Sequence, residues 1–253
     1  MSTSATTPAA VAPLGAGAAT WYCWLLAGGY VFMLIVQGNV VPFLQQEFSL
    51  SYSEVSFHSS AIAVGVLLVG LFGERVSRQL GRRNTLRLAV YGIIAGAIGL
   101  CLAPAPWASI ASCFVFGAFG TLVPAIIPAL QSDIHGERRA EAYAGQGIVA
   151  YAFGFAAPLV GGLAIWLGLG WRPAVLLGAA INLVIVAAFW RAAIVEPAAR
   201  AAHERQRLPV IFWAHWALAF ASTSLEFCVV FWATSFFAQV IGYDAAMAAT
   251  AAA

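Results

Sequence analysis

Residues 61–86 read Ala61-Ile62-Ala63-Val64-Gly65-Val66-Leu67-Leu68-Val69-Gly70-Leu71-Phe72-Gly73-Glu74-Arg75-Val76-Ser77-Arg78-Gln79-Leu80-Gly81-Arg82-Arg83-Asn84-Thr85-Leu86. A charge-free apolar run ends in a loop dense with arginine, and a second apolar run starts beyond it. The continuous run from Ala61 to Leu71 lacks the alternation of a membrane β-strand, which rules against a β-barrel. Two such runs joined by a short charged turn form a pair of membrane helices whose connection stays on one side of the bilayer. This stretch fixes the fold class as all-α, a polytopic helical membrane protein.

The rest of the chain repeats the pattern. Of 253 residues, 62% are hydrophobic and only 9% are charged, against about 25% charged in a soluble domain. A soluble globule has too few charges here to cover its surface. About 20 apolar residues cross a bilayer as a helix. Seven stretches reach that length: 22–44, 56–74, 86–104, 107–130, 145–168, 172–192 and 210–238. The net charge of +2 gives no reason to expect a nucleic-acid partner. All 12 basic residues are arginine, so no lysine exists to form a retinal Schiff base.

Eleven of the 12 arginines lie on alternate loops: five around 75–87, two at Arg138 and Arg139, and four from Arg191 to Arg207. Arg172 stands alone on the opposite side. Positive charge is retained in the cytoplasm, so the even-numbered loops and the N-terminus are expected there. The Ala-, Gly- and Arg-rich composition points to a bacterial inner membrane. Residues 1–20 carry no charge and are expected to be a disordered cytoplasmic tail. The expected organisation continues with a six-helix bundle over 21–192, a cytoplasmic linker over 193–208 with Arg200 and Glu204 four apart, and the start of a second bundle over 209–253.

The loop at Gly81-Arg82-Arg83 resembles motif A of the major facilitator superfamily, G-x-L-a-D-R-x-G-R-R. Glu74 stands at the motif's first glycine and Arg78 at its aspartate. Four residues apart on a helix, these two are expected to pair. Further landmarks follow in order: Phe116 to Ala125 with Glu137-Arg138-Arg139 is similar to span four and its loop. Pro158, Gly161 and Gly162 are similar to motif C, although alanine replaces its first glycine. Gly170-Trp171-Arg172 is similar to the start of span six. The resemblance covers residues 22–253 and implies an MFS-like six-helix bundle plus one further span. Its implied function is secondary active transport of a small organic solute by alternating access; the alternative is a non-transporting truncated remnant or a structural membrane protein. The implied partners are that solute, a coupling proton, the bilayer and a C-terminal half lying beyond the present sequence, which is expected to be a fragment.

Polar groups at membrane depth are the candidate site. Glu226 lies mid-span among Phe227, Cys228, Phe231 and Trp232; it reads either as a coupling or solute-contact residue or as a protonated structural acid. The resemblance implies a cavity lined by spans one, four, seven and ten, hence Gln37, Asn39 and Thr121 beside Glu226 as candidates. Gln146, Tyr151, Asn182 and His215 are further candidates, each equally readable as an interhelical or interfacial contact. The motif B arginine is absent from span four, and span one has no acid, so coupling in the usual antiporter manner is not expected. Cys23, Cys101, Cys113 and Cys228 read as apolar filler. No metal, no cofactor and no enzymatic activity are expected, because no ligand spacing, phosphate loop or nucleophile motif occurs. Ser53 or Ser56 is the expected cap where span two begins.

Overall fold

The computed structural model describes residues 17–196 and 209–252. The expected Arg200–Glu204 pair and most of the expected N-terminal tail lie outside them. Backbone groups in a bilayer must be satisfied within their own segment, so the apolar runs coil into helices. They are α1 (Ala18–Glu47), α2 (Tyr52–Leu102), α3 (Pro106–Gly120), α4 (Leu122–His135), α5 (Arg139–Trp166), α6 (Arg172–Ala188), α7 (Val210–Phe236) and the short α8 (Ala245–Ala251). A π-helical turn, Phe237–Ile241, continues α7.

Four continuous stretches are long and apolar enough to cross a membrane: Ala18–Glu47, Tyr52–Leu102, Pro106–Trp166 and Val210–Ile241. Two of them contain breaks. In α2 the break is Gly81, at φ 76° and ψ 157°. Gly65, before the break, abuts the backbone of Gly117 and Ala118, while Gly92 and Gly96, after it, abut Phe119 and Phe116. Both arms of α2 therefore lie against the same part of α3, and the chain doubles back at Gly81. Close approach at these glycines is how membrane helices gain contact without a hydrophobic drive. The second break is the 3₁₀ turn Gly136–Arg138 between α4 and α5. Counting each arm, and adding the shorter apolar α6, yields the expected seven crossings.

Helix α1 is the core of the bundle. It packs against α5, α6 and α7, and Cys23, Leu26 and Met33 are fully buried. The Trp24 ring covers Gly145 of α5, and Met33 and Phe32 cover Gly178 of α6. At the far end of α1, Glu47 pairs with Arg172 at 2.5 Å and accepts from Trp171 Nε1 at 3.3 Å. Arg172 also donates to the Cys101 carbonyl at 3.0 Å, tying α1, α2 and α6 together.

The start of α2 corrects one expectation. Its cap is Ser51, not Ser53 or Ser56: the Ser51 hydroxyl accepts from the Glu54 amide, and the Glu54 carboxylate accepts from the Ser51 amide at 2.8 Å. A glutamate at the third helical position selects the serine three residues before it.

Candidate functional site

The polar groups that matter lie near the middle of their spans. Tyr30 sits near the middle of α1, Thr121 at the junction of α3 and α4, and Glu226 near the middle of the α7 stretch. The Tyr30 ring stacks on Phe116 at 5.9 Å with planes 9° apart. Its ring edge lies against Gly120, and its phenol approaches Thr121. The approach to Thr121 falls short of hydrogen-bond geometry, and Thr121 Oγ1 is buried with no partner. An unpartnered buried hydroxyl costs about 1–3 kcal/mol. Glu226 itself is exposed on α7.

Gln37 lies two helical turns beyond Tyr30 on the same face of α1. It is 4% exposed, and its Oε1 has no partner. Asn39 joins α1 to α7: the Thr234 hydroxyl donates to Asn39 Oδ1 at 2.9 Å. Asn39 Nδ2 remains unpartnered. Between the two, Gly38 meets the main-chain oxygen of Val230 so closely that no Cβ fits. Within α7 only Phe231, Thr234 and Ser235 are buried. Helix α7 is thus held to α1 near its π-helical end, while the rest, Glu226 included, stands free of the bundle.

The other candidates go elsewhere. Gln146 accepts from Gln131 Nε2, and Trp24 Nε1 donates to Gln131 Oε1 and to the Ala142 carbonyl. This group ties α1, α4 and α5 at the arginine-rich end. Tyr151 is 74% exposed on α5 and touches none of the mid-depth groups. Asn182 donates to the Gly29 carbonyl at 3.0 Å. His215 is exposed and bonds the Ile211 carbonyl.

The loop at Gly81 forms a clamp. The Arg82 and Arg83 amides donate to the two Glu196 oxygens at 2.8 and 3.2 Å, so a carboxylate caps a fresh helix start where the helix dipole favours it. A Cβ on Gly81 would stand 3.2 Å from Glu196 Oε1. The Arg82 guanidinium, 7% exposed, pairs with Asp133 at 2.7 Å and donates to the Val195 carbonyl at 3.0 Å. Arg83 donates to the Ala192 carbonyl at 2.7 Å, and Arg87 to that of Trp190 at 2.9 Å. Arg87 also lies over the Trp190 ring at 3.6 Å. Glu74 and Arg78 come within 3.9 Å, both largely exposed, which contributes little. In α5, Pro158 and Gly161 are buried, and Gly162 lies against Thr250 and the Ala246 carbonyl of α8.

Sequence reasoning missed Tyr30, Asp133, Glu196 and Glu47. The available signal for Tyr30 was a hydroxyl in the middle of an apolar run. For Glu196 it was an acid directly after a span that faces an arginine-rich loop. Among the described residues no group of His, Cys, Asp and Glu is arranged to hold a metal.

A family model described as Major Facilitator Superfamily matches residues 23–253. Among solved structures, a D-xylose-proton symporter matches with a TM-score of 0.72 over 93% of this chain at 14% identity. That likeness is one of fold. This chain covers 64% of the length of the symporter. No curated protein matches the sequence.

Proposed function

This chain belongs to the major facilitator superfamily, and we propose that it moves a small organic solute across the membrane by alternating access, as a secondary active transporter. The observation that carries the reading is a set of buried, unpartnered polar groups at mid-depth, Thr121 and Gln37 near Tyr30, with Glu226 near the middle of α7. Transporters of this kind bind solute near the midplane, where polar groups at depth are otherwise costly. Thr121 and Gln37 keep unpartnered oxygens there, and a solute would satisfy them.

Glu226 is the coupling residue in this reading. It is the sole acid of α7, and because α3 and α4 lack the arginine of motif B, coupling through it would differ from the usual antiporter manner. Asn39 takes part at the contact with α7. The arginine clamp holds the cytoplasmic end, with the N-terminus on that side of a bacterial inner membrane, following the arginine distribution. The chemistry is binding and conformational change, with no covalent step. The symporter of similar fold moves D-xylose with a proton, by its name, which makes D-xylose the first solute to try.

The test is uptake into proteoliposomes, with D-xylose and a panel of neutral and weakly charged solutes. The reading expects solute-specific uptake by the wild type that Glu226→Gln abolishes. If both proteins are equally inert with every solute, the transport reading fails for this chain.

A further inference from the structure

A cavity lies away from the mid-depth group, at the end of the bundle that carries Glu47. It encloses about 220 Å³, between the end of α1, the π-helical turn and α8. At roughly 30 Å³ per water, that is room for about seven waters or one small ring. Its walls include Pro42 and Phe43 of α1, Thr234 of α7, Gln239 of the π turn, and Gln46 and Tyr243. The π turn widens the helix by one residue, a distortion that recurs at functional sites. It closes with the Tyr243 amide donating to the Phe237 carbonyl at 3.0 Å and with the two rings stacked at 6.0 Å.

None of the lining residues is charged, and the acids next to them in sequence are engaged. Glu47 is taken by Arg172 and Trp171. Asp244 accepts from the Ala246 and Met247 amides. The polar groups on the wall are two carboxamides, a hydroxyl and a phenol, set beside proline and phenylalanine surfaces. Behind the wall, Thr234 holds Asn39, which borders an adjoining smaller void that shares Phe43. Asn39 is 5% exposed and its Nδ2 donor is unpartnered. Burying such a donor is unfavourable unless something takes its bond.

We propose that this cavity is a binding site for a neutral solute that carries several hydroxyl, ether or amide groups and one apolar face. Carboxamides give and take hydrogen bonds with such groups without selecting a charge, and a wall free of countercharges rejects ions, which lose their hydration on entry. The site does not depend on Glu226 and stands whether or not that residue moves a proton.

The test uses the full chain in membrane vesicles, with Cys228→Ser as background because the other three cysteines are buried. Gln239→Cys and Gln46→Cys are labelled in turn with a membrane-impermeant maleimide, and Ser53→Cys, exposed at the same end, reports folding and access. The probes are myo-inositol and the anion D-glucuronate. Myo-inositol is expected to slow labelling at 239 and 46 by about threefold at about twice its Kd. The slowing should saturate, leave Ser53→Cys unchanged and exceed that from glucuronate. Absence of slowing at both cavity positions, or equal slowing by glucuronate, overturns the proposal. So does equal slowing at Ser53→Cys.

Discussion

Arg82 of α2 and Asp133 of α4 stand 2.7 Å apart, and the same guanidinium nitrogen donates to the Val195 carbonyl at 3.0 Å. One side chain thus joins two helices and the segment leaving α6. The arginine is nearly buried while the aspartate is one-third exposed, so removing the aspartate strands a desolvated cation. Asp133→Ala is expected to destabilise the folded protein by about 3 kcal/mol, and Arg82→Ala by a similar amount. Because both remove the same contact, the double variant should fall well short of the sum. Thermal unfolding of the four proteins in detergent measures the coupling; additive losses would show that the pair does not act as a unit.

Gly81→Ala tests the turn. The glycine sits at φ 76°, where an L side chain is strained by about 1–2 kcal/mol, and the added methyl meets the Glu196 carboxylate. The variant should lose that stability and free the clamp. Glu196→Ala alone should give a smaller loss, and Gly81→Ala on that background should lose only the strain. Unchanged unfolding of Gly81→Ala contradicts the account.

Helices and their order were legible because each apolar run is close to a span in length and is cut by charge or by Pro and Gly. The Gly81 turn was legible because glycine and arginine are the residues such a turn needs. The partners of those arginines were not. They are main-chain carbonyls of 190–195 and a carboxylate more than 100 residues away, and no local pattern encodes that pairing. The direction of mid-span polar groups was hidden for a related reason. Helices that are apolar all round show no inward face in their sequence. Gln146 and Tyr151 therefore looked alike, yet one is bonded to Gln131 and the other is 74% exposed.

The contact of α1 with α7 depends on Gly38, which leaves no room for a side chain beside Val230. On a Cys228→Ser background, Asn39→Cys and Thr234→Cys should be joined by a short bifunctional thiol reagent. Adding Gly38→Leu should push α7 away and abolish the cross-link. Equal yield with leucine at position 38 would mean that α7 is held elsewhere.

The start of α2 should loosen in acid. The Ser51 hydroxyl and amide both donate to Glu54 and hold its carboxyl below the usual range. A group with a lowered folded pKa contributes stability above its unfolded value, about 4.3, and loses it as pH falls through the folded value. Hydrogen-exchange protection at residues 51–56 should therefore decline below about pH 4 in the wild type. In Glu54→Ala it should be lower and independent of pH in that range. Identical profiles would remove the capping box from the account.

The central claim is that Glu226 of α7 couples solute movement to a proton. The direct measurement is proton movement in proteoliposomes that enclose a pH-sensitive dye, started by adding the transported solute. The account predicts a solute-dependent pH change with the wild type, a much slower one with Tyr30→Phe, and none with Glu226→Gln in protein that still folds and inserts. A pH change of the same size from Glu226→Gln would contradict it.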